Sequence, residues 1–302
     1  MAATLIAVIF ALALGHLAPG LAGVVRRHDL YAHWLRWLAS LFPGPGGAWH
    51  GRAGVLIALL PPLLLVALLQ YFLHSPLFGI FGLLFGLAVL FVAWGPRDLD
   101  ADVAAVIDAE HADARREAIV RLGADPARGG EGAAMVEAVF ASALRRWFGV
   151  LFWFLLLGAT GALLYRLVAL SAQEEAGNAL PPASRQGAKR LHALLDWPVA
   201  QAMSLALALV GNFDTVLAAW RDAGGASLRL DNAFLGAAGR ASVRSEIAEE
   251  TSELIEEGVA PGNAWVQLGE LPELRDAMSL VWRVLLLWLA ILALFVVAGW
   301  VS

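Results

Sequence analysis

The sequence predicts an all-α fold, a polytopic membrane helical bundle of about five to six spans with a cytoplasmic helical layer, on three observations. Apolar residues make up 60% of the 302-residue chain and charged residues 16%, well above the roughly 45–50% apolar usage of soluble domains. Long runs free of charge recur at 53–73, 77–94, 147–165 and 284–301, and a helix needs about 20 such residues to cross hydrocarbon. Between them lie charged stretches, 99–122 and 214–276, with apolar residues at helical spacing, as helices standing in water require. The expected segments are 1–94, N-terminal spans and an interfacial helix; 95–146, a cytoplasmic helical segment; 147–213, central spans; 214–281, a polar helical segment; and 282–302, a C-terminal span.

Composition excludes several chemistries. The chain has no cysteine, which rules out disulfides, thiolate metal sites, iron–sulfur clusters and a cysteine nucleophile. The net charge of −5 is diffuse and no basic stripe is present, so no nucleic acid partner is expected. Twenty of the 21 basic residues are arginine, and the single lysine, Lys189, lies in Arg-Gln-Gly-Ala-Lys-Arg, which lacks the glycine spacing of a phosphate-binding P-loop.

Residues 2–25 are apolar apart from His16, with Pro19-Gly20 interrupting them. No basic residue precedes the run, so a retained first span is expected rather than a cleaved signal. Leu30, Trp34, Trp37, Leu38 and Leu41 then fall on one face of an amphipathic helix suited to the headgroups. His74, Ser75 and Pro76 join the next two spans in a tight hairpin. Pro61-Pro62 should kink the first, and Gly82 and Gly86 give the second a close-packing face. Gly95-Pro96-Arg97-Asp98 starts one water-facing helix over 99–122. Its apolar face is Val103, Ile107, Ala114, Ala118 and Leu122, with Asp102, Asp108, Asp113, Arg116 and Glu117 turned away. The glycine-rich loop 123–132 has neither a preceding strand nor a Gly-Lys-Ser/Thr ending, and reads as a plain turn.

Residues 133–170 read as one continuous rod of about 58 Å. Its half at 147–165 should cross the lipid, and Arg145 and Arg146 should mark the cytoplasmic boundary. Residues 171–188 read as a loop. Asp196-Trp197-Pro198 reads as a helix start, Asp as N-cap and Pro in the first turn, followed by an uncharged run to Phe213 that is short for a span. Glu246, Glu249, Glu250, Glu253, Glu256 and Glu257 form a solvated acidic face rather than a cation site, because no loop gathers them. Arg283 stands at the entry of the last span.

No Gly-x-Ser-x-Gly, His-Glu-x-x-His or histidine cluster is present, so no catalytic residue, metal site or cofactor is expected. His192 and Asp196, four apart, are expected to pair as a structural contact. The blocks Leu151-Phe152-Trp153-Phe154, Gly161-Ala162-Leu163-Leu164-Tyr165-Arg166, Arg190-Leu191 and Asp196-Trp197-Pro198 resemble the AmpE/CobD superfamily of membrane proteins. One branch is the cobalamin-pathway synthase that attaches aminopropanol to cobyric acid; the other is AmpE, an inner-membrane regulatory signalling modulator linked to β-lactamase induction. Gly95-Pro96-Arg97-Asp98-Leu99, Arg146-Trp147-Phe148 and Pro272-Glu273-Leu274-Arg275-Asp276-Ala277 resemble the AmpE branch. The synthase branch carries an early Asp-(x)₃-Gly-Asp-Pro motif where this chain has Leu12-Ala13-Leu14-Gly15-His16. Its Glu-Asn-(x)₂-Asp box falls here on Ala141, Ser142 and Arg145, so acids and amides have become small residues and a base.

The resemblance therefore implies a regulator of the bacterial inner membrane, acting by binding rather than catalysis. A membrane enzyme or small-solute carrier related to the amide synthase is the alternative. Its partners would be the lipid bilayer and a cytoplasmic anionic ligand or protein. The residues expected to serve binding are Arg97, Asp98, Arg145, Arg146, Tyr165, Arg166, Asp196 and Trp197, because guanidinium groups suit carboxylates and phosphates.

Overall fold

A computed structural model describes residues 29–44, 46–73, 79–94, 98–128, 132–173 and 177–298. The expected span at 2–25, the hairpin residues 74–76 and Arg97 lie outside the described residues. The described residues form helices and no strand. Among the described residues four helices are long and apolar enough to cross a membrane, Gly54–Leu73, Gly132–Leu157, Pro182–Val210 and Pro272–Phe295; two shorter apolar ones are Ile80–Ala93 and Ala159–Ala172. The chain divides into two compact units, one of 1–97, 145–196 and 295–302, the other of 98–144 and 197–294.

In the first unit, α1 (Asp29–Leu41) buries Tyr31, Leu35 and Leu38. Trp34 Nε1 donates to the Ala58 carbonyl of α2 (Gly54–Leu73) at 3.0 Å. The expected stripe is thus split: Leu30, Trp37 and Leu41 face outward, because Tyr31 and Leu35 supply the packing face. Helix α2 runs through Pro61 and Pro62 with most of its leucines exposed, a surface that lipid covers at no hydrophobic cost. In α3 (Gly79–Ala93), Gly86 faces the Phe154 ring and Gly82 faces the Leu73 carbonyl. Both glycines of the expected packing face therefore admit a neighbour.

The expected rod does not run to 170. Helix α6 (Gly132–Leu157) passes through Arg145 and Arg146 as a π-helical turn, Leu144–Phe148, and stops at Gly158. Gly158 takes φ 67 and ψ −150, a conformation open essentially to glycine alone. There the chain reverses into α7 (Ala159–Ala172). A side chain at Gly161 would overlap the Trp153 carbonyl, and one at Gly149 would overlap the Tyr165 ring. In a straight helix residues 149 and 165 would stand about 24 Å apart. Gln70 of α2 fixes the corner: its Oε1 accepts from the Thr160 N–H at 3.0 Å and hydroxyl at 3.1 Å, and its Nε2 donates to the Leu157 carbonyl at 3.1 Å.

Nor does a helix start at Asp196. Helix α8 begins at Pro182, inside the expected loop, and continues through Pro198 to Val210. Pro198 cannot donate to the carbonyl of Leu194, and the helix tolerates the loss. Within the first unit, Ser184 ties the start of α8 to the Trp49 and Gly51 carbonyls.

The second unit holds the polar helices. The expected helix over 99–122 is two, α4 (Leu99–Ile107) and α5 (Ala112–Leu122), broken at 108–111, where Asp and His favour caps over helix interior. Val103, Ala118 and Leu122 are buried as expected, but Ala114 is exposed and Asp102 is buried. Helix α9 (Phe213–Asp222) is capped by Asn212, whose side chain accepts from Thr215 N–H. Helix α10 (Ala233–Glu256) buries Phe234, Leu235, Ala238, Val243 and Ile247, with Gly239 admitting the Phe140 ring. After α11 (Pro261–Gln267), helix α12 (Pro272–Val297) starts twelve residues before the expected span; its Arg283 pairs with Glu246 at 2.9 Å.

Candidate functional site: a buried tyrosine–aspartate–histidine chain

The fold-back at Gly158 brings Tyr165 against the turn of α6 that follows Arg146, and α8 supplies its partner. The Tyr165 hydroxyl donates to Asp196 Oδ1 at 2.6 Å, with both residues buried. The other carboxylate oxygen, Oδ2, lies 3.6 Å from His192 Nδ1, one helical turn back on α8, and the Tyr165 and His192 rings are 5.6 Å apart. The expected pairing of His192 with Asp196 is therefore present, and it belongs to a longer chain.

Helix α8 can hold this chain because His192 and Asp196, four apart, share a face. Gly149, just past the π-helical turn, leaves room for the phenol. The π-helical turn admits an extra residue into the ladder, a feature that recurs at functional sites. Arg145 lies in it and is exposed, whereas Arg166, next to Tyr165, is buried. The charges of both arginines act on the Tyr165 phenol and on the His192 imidazole.

At 3.6 Å the Asp196 carboxylate faces Nδ1 without a hydrogen bond, and the outer nitrogen is the end of the ring left to an occupant. That nitrogen, His192 Nε2, is shielded from solvent and has no hydrogen-bond partner among the described residues. A buried polar atom left in this state costs about 1–3 kcal/mol, so an occupant offering a hydrogen bond there gains that much.

Of the expected binding residues, Tyr165 and Asp196 meet at this chain, while Arg145 and Arg166 act on it through their charges. Arg146 is half-buried and engaged by its own neighbours. Asp98 caps α4, accepting from Asp100 N–H at 3.2 Å. Trp197 has a shielded indole N–H without an acceptor among the described residues. The residues sequence reasoning left out are His192, whose spacing from Asp196 was visible, and Gly149 and Gln70, which carried no local signal. Among the described residues no group of three histidine or acidic side chains forms a cation site. Comparison of the chain with family models, curated proteins and solved structures gave no match.

Proposed function

We propose that this chain is a regulatory and signalling modulator of the bacterial inner membrane, of the AmpE type, linked to β-lactamase induction and cell-wall recycling. It acts by binding an anionic ligand rather than by catalysis. The observation that carries the binding reading is the buried His192 Nε2, which has no hydrogen-bond partner among the described residues, on a ring whose other nitrogen faces the Asp196 carboxylate. The signalling reading rests on the resemblance of 95–99, 146–148 and 272–277 to the AmpE branch. In this proposal the apolar helices, with the segment at 2–25, make five to six spans, and the polar helices form a cytoplasmic layer.

Deleting the gene in its source bacterium should alter β-lactamase induction and the pool of cell-wall recycling intermediates. Asp196→Asn and His192→Ala, accumulating at normal levels, should reproduce the deletion. Unchanged induction and unchanged intermediates in the deletion strain would remove the signalling role.

A second reading, a membrane enzyme or small-solute carrier, is favoured by one observation: ionisable groups buried in apolar helices commonly line a solute or proton path. Proteoliposomes would separate the two, since a carrier moves solute or protons across a sealed membrane and a binding module does not.

A further inference from the structure

A separate cavity of about 600 Å³ lies within the second unit, along one face of α10, a size in the range of small-molecule sites. Arg240, Val243, Arg244, Ile247, Thr251 and Ile255 recur on that face at helical spacing, and Trp265 of α11 closes one side. The floor is apolar, with Val243 and Ile247 buried. At one end Trp265 and Ile255 are 55% and 41% exposed, an unfavourable state for two large apolar side chains unless something covers them.

The charges sort by partner. Arg240 is paired with Glu137. The Glu273 carboxyl sits against Gly132 at the start of α6, where a helix N-terminus favours an anion. Arg244 is exposed and makes no ion pair or hydrogen bond with the described residues. The groove thus offers an apolar floor, an aromatic end and one uncompensated guanidinium.

We propose that this groove binds an amphipathic anion, its carboxylate or phosphate received by Arg244 and its aliphatic body lying over Val243, Ile247 and Ile255 against Trp265. The site shares no residue with the Tyr165 chain and does not depend on its function.

Because the chain lacks cysteine, Ser252→Cys places a single thiol on the groove wall. The full chain in nanodiscs is alkylated with a water-soluble maleimide while octyl phosphate, octanoate or neutral octanol is titrated in. Ser40→Cys on α1 reports any general effect. The anions should slow alkylation at Ser252→Cys at least fivefold and saturably, and the one acting at lower concentration identifies the headgroup. Octanol should not protect, and neither anion should act at Ser40→Cys. Arg244→Gln should raise the half-protecting concentration at least tenfold, whereas Arg221→Gln should not. The proposal is overturned by no protection, by equal protection from octanol, or by protection that survives Arg244→Gln. Ready disulfide-linked dimers of Ser252→Cys would also overturn it, since a second copy would then be what covers the groove.

Discussion

A phenol buried where α1 meets α7 is costly to ionise. The Tyr31 hydroxyl is hydrogen-bonded to Ser171 Oγ at 2.7 Å, and burial pushes the phenol from 10.0 up to about 12, against the smaller opposing effect of the Ser171 hydrogen bond. Because the folded-state value is the higher one, the contribution is intact below pH 10 and is lost between pH 10 and about 12. A shift of that size corresponds to about 2.7 kcal/mol at most. The unfolding midpoint of detergent-solubilised protein should fall across that window by circular dichroism, and Tyr31→Phe should flatten the fall. At this scale the sequence was legible where the signal was local. His192 and Asp196 are one turn apart and do meet. Asp196-Trp197-Pro198 carried an equally local signal for a helix start and misled, because in apolar helices a proline is tolerated where neighbouring groups serve the freed backbone. Tyr165 and Asp196, 31 positions apart, could be joined only by knowing where the chain turns.

The turn itself sits at Gly158, and hydropathy does not mark it: the run on both sides, 147–165, is free of charge. What distinguishes the corner is a backbone conformation that glycine alone readily adopts and the three hydrogen bonds from Gln70. At about 0.5–1.5 kcal/mol for each hydrogen bond, Gln70→Leu should destabilise the protein by about 2 kcal/mol. Urea unfolding in detergent should show a lower midpoint, while an unchanged midpoint would mean that the corner holds without the amide. Elements with clear apolar runs were read well: α2 lies over 54–73 where 53–73 was expected. The start of α12 was missed because Glu273, Arg275 and Asp276 make its first turns polar, and charge alone does not end a helix.

At the scale of the molecule, composition carried the class: the described residues are helical, and four of their helices are long and apolar enough to cross a membrane. The two units could not be read off the sequence, because each is assembled from separate stretches and their limits at 144/145 and 196/197 fall inside α6 and α8. The absence of native cysteine makes sidedness measurable one position at a time. Gln173→Cys and Arg146→Cys should react with an impermeant maleimide from the same face of sealed vesicles, since α7 returns alongside the second half of α6. Labelling from opposite faces would mean that the reversal at Gly158 does not survive in a bilayer.

That reversal changes parity. An apolar stretch counted as one passage shifts all later residues to the opposite compartment, whereas a stretch that dips in and comes back leaves them where they were. If α6 and α7 enter a bilayer as a hairpin, a topology drawn by counting 147–165 as one passage assigns the residues that follow α7 to the wrong compartment, and the corner at Gly158 is where the two drawings part.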